Sequence, residues 1–108
     1  MITVTVIKNE GAYKSLDLKG HAGFAKKGKD IVCSAVSMLV INTINSIEQF
    51  CEDDFALEQN ERLGFIHMDF YEEPSMKAQL LMDSLVLGLE NVSLEYGDKY
   101  LSLTIKEV

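Results

Sequence analysis

At residues 31–41 the chain has the sequence IVCSAVSMLVI, in which only two serines interrupt the apolar side chains. A helix of this composition is apolar nearly all round, so we expect it to be buried on more than one side and central in the fold. Asp30 directly precedes it, and an aspartate there can accept hydrogen bonds from the unpaired NH groups of the first turn. Apolar residues then continue as a single stripe. The sequence therefore predicts a long, capped helix from Ile31 to about Cys51.

Strands are predicted on both sides of this helix, because apolar and polar residues alternate there with a period of two. The alternating runs pair into three hairpins, at residues 2–6 with 12–19, 55–59 with 65–71, and 92–96 with 100–106. Pro74 suits the first turn of a second helix, from Ser75 to about Asn91. The order ββαββαββ predicts one α+β domain, residues 1–108, in which two helices pack on an antiparallel or mixed sheet.

Length and composition favour a single globular domain. The chain has 108 residues, of which 47% are hydrophobic and 25% charged, and it is too short to divide into domains. Its apolar runs are interrupted well before the roughly 18 residues of a membrane span, and residues 1–10 lack the features of a secretory signal. We therefore expect a cytoplasmic protein without a membrane partner, whose two cysteines are reduced thiols.

The charge of the chain is acidic and unevenly distributed. The net charge is −7, with +4 over residues 1–29, where six lysines stand against two acids, and −11 over residues 30–108. This balance argues against nucleic acid as a direct partner, because phosphate binding needs clustered lysine and arginine. The acidic part either attracts a basic partner or only keeps the domain soluble. Because a thin domain exposes sheet edges, we also expect a homodimer.

The candidate chemistry is that of a thiol next to an imidazole. Cys33 is the third residue of the predicted helix, where unpaired NH groups and the helix dipole favour a thiolate. His21, in the glycine-containing loop 20–30, can take the thiol proton and return it to a leaving amine. The NH of Cys33 or Ser34 can hold the developing oxyanion. From these residues alone, the alternative stays open that Cys33 is a core cysteine and His21 is only solvated.

Two short motifs resemble a known family. The sequences GHA at residues 20–22 and DIVCSAVS at residues 30–37 resemble those of the ribosomal-processing cysteine protease family, Prp, and the similarity in length and element order extends over essentially the whole chain. The resemblance implies an endopeptidase that removes a short N-terminal extension from a large-subunit ribosomal protein near the peptidyl-transferase centre. It implies cleavage after a pair of aromatic residues, with His21 as the base and Cys33 as the nucleophile of an acyl-enzyme mechanism.

The other motif residues have either a supporting or a purely structural role. Asp30 either orients His21 or only caps the helix. Ser37 lies one turn after Cys33, and its hydroxyl either supports the site from below or bonds back to the Cys33 carbonyl. Gly20 permits a positive φ and a close approach next to His21.

Loop 20–30 is the predicted substrate loop. Gly23 and Gly28 let it open for a peptide and close behind it. Phe24, Met38 and Phe65 are candidates for the pocket lining, and the sequence does not choose among them.

No cofactor or metal site is predicted. A zinc site would need four ligands that do not form pairs at the short spacing typical of zinc proteins, namely His21, Cys33, Cys51 and His67. The alternative hypothesis is that the protein is a non-catalytic binding module for ribosome assembly, in which Cys33 is buried and His21 only contacts a partner.

Overall fold

Two helices cover one side of a five-stranded sheet in the computed structural model, which describes residues 1–26 and 30–108. Within that part of the chain the elements follow one another as β1 Ile2–Asn9, β2 Ala12–Lys19, α1 Ile31–Phe50, β3 Phe55–Asn60, β4 Phe65–Phe70, α2 Met76–Tyr96 and β5 Leu101–Glu107. The strand order is β3-β4-β2-β1-β5, with β5 parallel to β1 and the other neighbours antiparallel. The predicted α+β class with a mixed sheet is confirmed.

Helix α1 is buried along one stripe. Its buried side chains recur three or four residues apart, which is the spacing of one helix face: Val32, Val36, Val40, Thr43, Ile44 and Ile47. Ile31, Met38 and Ile41 are exposed, so the expectation of burial on several sides is wrong. The reason is that the sheet and α2 cover only part of the helix. By length and mean hydropathy alone α1 could also cross a membrane, but a core helix with this buried stripe has the same composition.

The third predicted hairpin is wrong in its first half. Residues 92–96 continue α2 as far as Tyr96, and the observed order is ββαββαβ. Val92 and Tyr96 are four residues apart and pack against the core on the helical stripe of Leu85 and Leu89. Their even spacing also fits a strand, which is why the pattern misled. Gly97, with φ +97°, ends the helix and does not form a hairpin turn.

The register of β2 and β4 brings two distant segments together. Lys19, the last residue of β2, lies opposite Phe65, the first residue of β4. Gly20, which follows β2, and Gly64, which precedes β4, are also joined, because the Gly20 NH donates to the Gly64 carbonyl at 2.8 Å. The turn between β3 and β4 therefore lies beside the segment that carries His21.

We expect Leu89→Ala to lower the free energy of unfolding by about 3 kcal/mol, because it leaves a cavity in the core. Leu89 is 0% exposed on α2, whereas Leu94 on the same helix is 84% exposed. Leu94→Ala is the matched control, and it should change the stability by less than about 0.5 kcal/mol. Urea unfolding followed by circular dichroism measures both variants. Equal losses would contradict the described end of α2.

Candidate active site

The thiol of Cys33 lies in the first turn of α1, half-buried and free. The backbone NH of Ala22 donates a hydrogen bond to Cys33 Sγ at 3.0 Å. The segment after β2 therefore folds back onto the start of the helix, as its length and glycines predicted. This contact places the residue next to His21 directly on the sulfur.

Asp30 joins the start of the helix to the loop. Its Oδ1 accepts from the Cys33 NH at 3.0 Å, and its Oδ2 accepts from the NH groups of Phe24 and Ala25 at 3.0 and 3.5 Å. The predicted helix cap is confirmed. Burial alone would raise the pKa of this carboxyl, which is 6% exposed, but the three NH donors outweigh burial and hold its pKa below the ordinary value.

The thiol is not held as a thiolate, contrary to the expectation from its position. Burial raises the pKa of Cys33, and the negative charge of Asp30 raises it further. The NH groups of Ala22 and Gly23 act in the opposite direction but offset only part of this rise. Burial is the larger cause, and a full carboxylate charge at the positive end of the helix dipole adds to it. A base must therefore remove the proton before the sulfur can react.

The two NH groups predicted to hold an oxyanion are already engaged. The Cys33 NH donates to the Asp30 side chain, and the Ser34 NH donates to the Asp30 carbonyl at 3.1 Å. Both NH groups therefore have partners in the free protein, and their predicted oxyanion role stays a prediction. No pattern in the sequence pointed to the NH groups of Ala22 and Gly23, which favour the charged form of the sulfur.

His21 is exposed, and its imidazole lies against the β3–β4 turn. A Cβ placed on Gly64 would lie 2.9 Å from His21 Cε1 and 3.0 Å from Nε2. In the described part of the chain no hydrogen bond joins the imidazole to Cys33, whose sulfur accepts from Ala22 instead. Such contacts are often loose without substrate and tighten when it binds.

The loop residues have separate surroundings. Gly20 has φ +92°, and a Cβ there would lie 2.6 Å from the Met1 carbonyl oxygen, so this position requires glycine. Gly23 also has a positive φ, of +74°, but it faces open space.

Phe24 packs edge-on against Tyr96 and Tyr100, with ring centroids 5.7 and 5.1 Å away. Gly28 lies outside the described residues.

No pattern in the sequence predicted the two tyrosines of this aromatic cluster. Tyr96 and Tyr100 flank the end of α2 and the start of β5, where the pattern had predicted the two arms of a hairpin. With the helix end misplaced, no local signal connected these rings to Phe24.

The remaining candidate residues do not converge on one point. Ser37 is half-buried one turn after Cys33, and Ser34 is exposed. Cys51 directly follows the other end of α1. His67 lies on β4, with its Nδ1 3.3 Å from Asp17 Oδ1. No three His, Cys, Asp or Glu residues among those described form a metal-binding group.

A half-buried thiol at the start of a helix, with a histidine-bearing segment folded over it on an α+β scaffold, is compatible with the class of cysteine proteases. The comparisons agree with this class. The chain belongs to the Cysteine protease Prp family, whose sequence model matches residues 1–101.

Relatives and solved structures are similar over nearly the whole chain. The Ribosomal processing cysteine protease Prp of Bacillus subtilis is 30% identical over 103 residues, which cover 91% of this chain and 92% of that protein. The crystal structure of SMU.848 from Streptococcus mutans is 32% identical, with a TM-score of 0.86, covering 100% of this chain and 96% of the other. Prp from S. aureus, solved with a covalently linked product peptide, has the same fold, with a TM-score of 0.92 at 24% identity over 97% of this chain and 99% of the other.

We expect the ionised carboxylate of Asp30 to stabilise the fold at neutral pH. Because its pKa is lower in the folded than in the unfolded chain, this contribution is present above about pH 4 and is lost as the pH falls through the folded-state pKa. Asp30→Asn should therefore cost about 1 kcal/mol at pH 7 and less at pH 3. Urea unfolding at the two pH values measures this.

Asp98→Asn is the matched control, since Asp98 is exposed in the turn before β5. It should change the stability by less than about 0.5 kcal/mol at either pH. A cost for Asp30→Asn that is the same at pH 3 and pH 7 would contradict the assigned role of the charge.

Proposed function

We propose that this protein is an endopeptidase in which His21 is the general base and Cys33 is the nucleophile. The observation that carries the proposal is the hydrogen bond from the Ala22 NH to Cys33 Sγ, at 3.0 Å. It docks the segment carrying the only histidine of loop 20–30 onto a half-buried, free thiol. This contact brings the residue next to His21 to the sulfur, and so supports a thiol–imidazole pair.

The reaction follows from the protonated state of the thiol. When a peptide binds, the His21 imidazole closes on Cys33 and takes its proton, and the sulfur attacks the peptide carbonyl carbon. The C–N bond breaks, the amine leaves with the proton from His21, and a thioester remains. Water then gives a proton to His21 and attacks the thioester carbonyl. The carboxylic acid product leaves, and the proton returns to the sulfur.

The NH groups of Ala22 and Gly23 are the proposed oxyanion donors. Both act on the sulfur in the free protein and favour its charged form. As the sulfur attacks, negative charge moves from it to the carbonyl oxygen next to it, within reach of the same loop. Such donors contribute a few kcal/mol to catalysis because they are already oriented before the reaction.

The proposed substrate is the N-terminal extension of a large-subunit ribosomal protein, cut after aromatic residues. The relatives from Bacillus subtilis and S. aureus are named ribosomal processing proteases, and Prp from S. aureus has been solved with a substrate peptide. The rings of Phe24, Tyr96 and Tyr100 beside the loop provide an apolar surface for an aromatic side chain. The charge of −11 over residues 30–108 favours a basic ribosomal protein.

We expect Cys33→Ser and His21→Ala each to reduce cleavage of a tagged precursor by at least about 1,000-fold while leaving the fold intact. The substrate is the N-terminal segment of the ribosomal protein from the same organism. Mass spectrometry of the new terminus identifies the cleaved bond.

The chain offers matched controls, because it contains two cysteines and two histidines. Cys51→Ser and His67→Ala should cleave at the wild-type rate, since both residues lie away from the loop. Full cleavage by Cys33→Ser or His21→Ala would refute the proposed pair. No cleavage by the wild-type protein would refute the substrate class.

We also propose that two copies associate and that the protein works in the cytoplasm. The two edge strands, β3 and β5, are open to pairing. The side of α2 away from the sheet carries exposed Leu80, Leu87 and Leu94. Light scattering after size exclusion should give about twice the chain mass of 12.1 kDa, and a mass equal to that of one chain would refute the dimer.

A further inference from the structure

The turn between β3 and β4 is held tightly in place. The Leu63 NH donates to the Asn60 side chain at 3.1 Å, and the Gly64 NH donates to the Glu61 carbonyl at 3.2 Å. The Gly64 carbonyl then accepts from the Gly20 NH at 2.8 Å. The turn is thus anchored both within itself and to the residue that precedes His21.

Gly64 lies where a side chain has no room. Its φ is +64°, and an added Cβ would meet the Gly20 carbonyl oxygen at 2.7 Å, His21 Cε1 at 2.9 Å and Nε2 at 3.0 Å. These separations are shorter than ordinary van der Waals contact. Two of the three colliding atoms belong to the imidazole, and the third belongs to the backbone just before it. The space that the ring occupies exists only because residue 64 has no side chain.

We infer that Gly64 is a positioning residue of this protease, whose bare backbone forms the seat in which the His21 imidazole is held. The inference rests on the proposed role of His21 as the base. Gly64 does not touch the reacting atoms and acts only through the ring.

Contact with Gly64 restricts the His21 ring, which loop 20–30 does not orient by itself. His21 is exposed, and in the described part of the chain its ring has no hydrogen-bonding partner to orient it. When a peptide binds, a ring free to rotate would meet the sulfur in a productive orientation for only part of the time, and misplacement by about 1 Å can cost 100-fold in rate. Contact with the anchored turn restricts that rotation. A group at residue 64 would also push the Gly20 carbonyl, and with it the segment that leads to Ala22.

The test compares Gly64→Ala with Gly11→Ala. Both glycines are in hairpin turns with a positive φ, +64° and +82°, but a Cβ on Gly11 meets nothing within 4 Å. The two variants therefore carry a similar backbone strain, and only the first one collides with the imidazole. Cleavage of a fluorogenic peptide that spans the precursor cleavage site gives kcat and KM. Thermal unfolding shows that both variants fold.

For Gly64→Ala we expect kcat to fall by about 100-fold with KM changed by less than about twofold, because the peptide still binds while the base is misplaced. Gly11→Ala should keep both constants within about twofold of the wild type. A kcat for Gly64→Ala equal to that of Gly11→Ala would overturn the inference, as would a loss confined to KM.

A measurement on the wild-type protein keeps the inference testable if Gly64→Ala does not fold. We expect a nuclear Overhauser effect between the Gly64 Hα protons and the His21 Hε1 proton, and its absence would overturn the seat. The His21→Ala variant separates this inference from the proposed function. If His21→Ala cleaves normally, the proposed base is wrong; if it is inactive while Gly64→Ala is as active as Gly11→Ala, only the positioning role fails.

Discussion

The carboxylate of Asp30 is the contact on which the candidate site depends. It is almost fully buried, and its two oxygens receive NH groups from the start of α1 and from the loop after β2. The buried charge thus joins the loop to the start of the helix through three NH groups. The same contact carries the Ala22 NH to the sulfur of Cys33. One side chain therefore organises two segments, and its charge adds to burial in raising the pKa of the thiol.

That arrangement raises the pKa of the thiol in the free protein. A helix start normally favours a thiolate, but here the negative cap and burial keep the proton on Cys33. In the proposed mechanism, the reactive sulfur forms when the His21 imidazole accepts its proton. Such a design suits a protease in the presence of many other proteins, because an ionised thiol reacts with oxidants and electrophiles even without substrate.

The sequence predicted the local features correctly and the long-range ones only in part. The cap at Asp30, the helix behind it and the first two hairpins follow from patterns within a few residues of one another. The end of α2 was mistaken for a strand, because Val92 and Tyr96 satisfy both periodicities and only their packing on the core decides between them. The ionisation of Cys33 was mistaken for a similar reason, since helix position suggests a thiolate but burial does not appear in a sequence.

By itself, the sequence determined which side chains are available for chemistry, the resemblance to one protease family, and the α+β class, because each of these depends on residue identity and short-range spacing. The tertiary structure alone decided which NH groups face the sulfur, which rings surround Phe24, and that Gly64 lies under His21. These contacts join residues far apart in the chain, brought together by the pairing of β2 with β4 and by the burial of Asp30. Their geometry follows from packing, in which every element contributes to the position of the others.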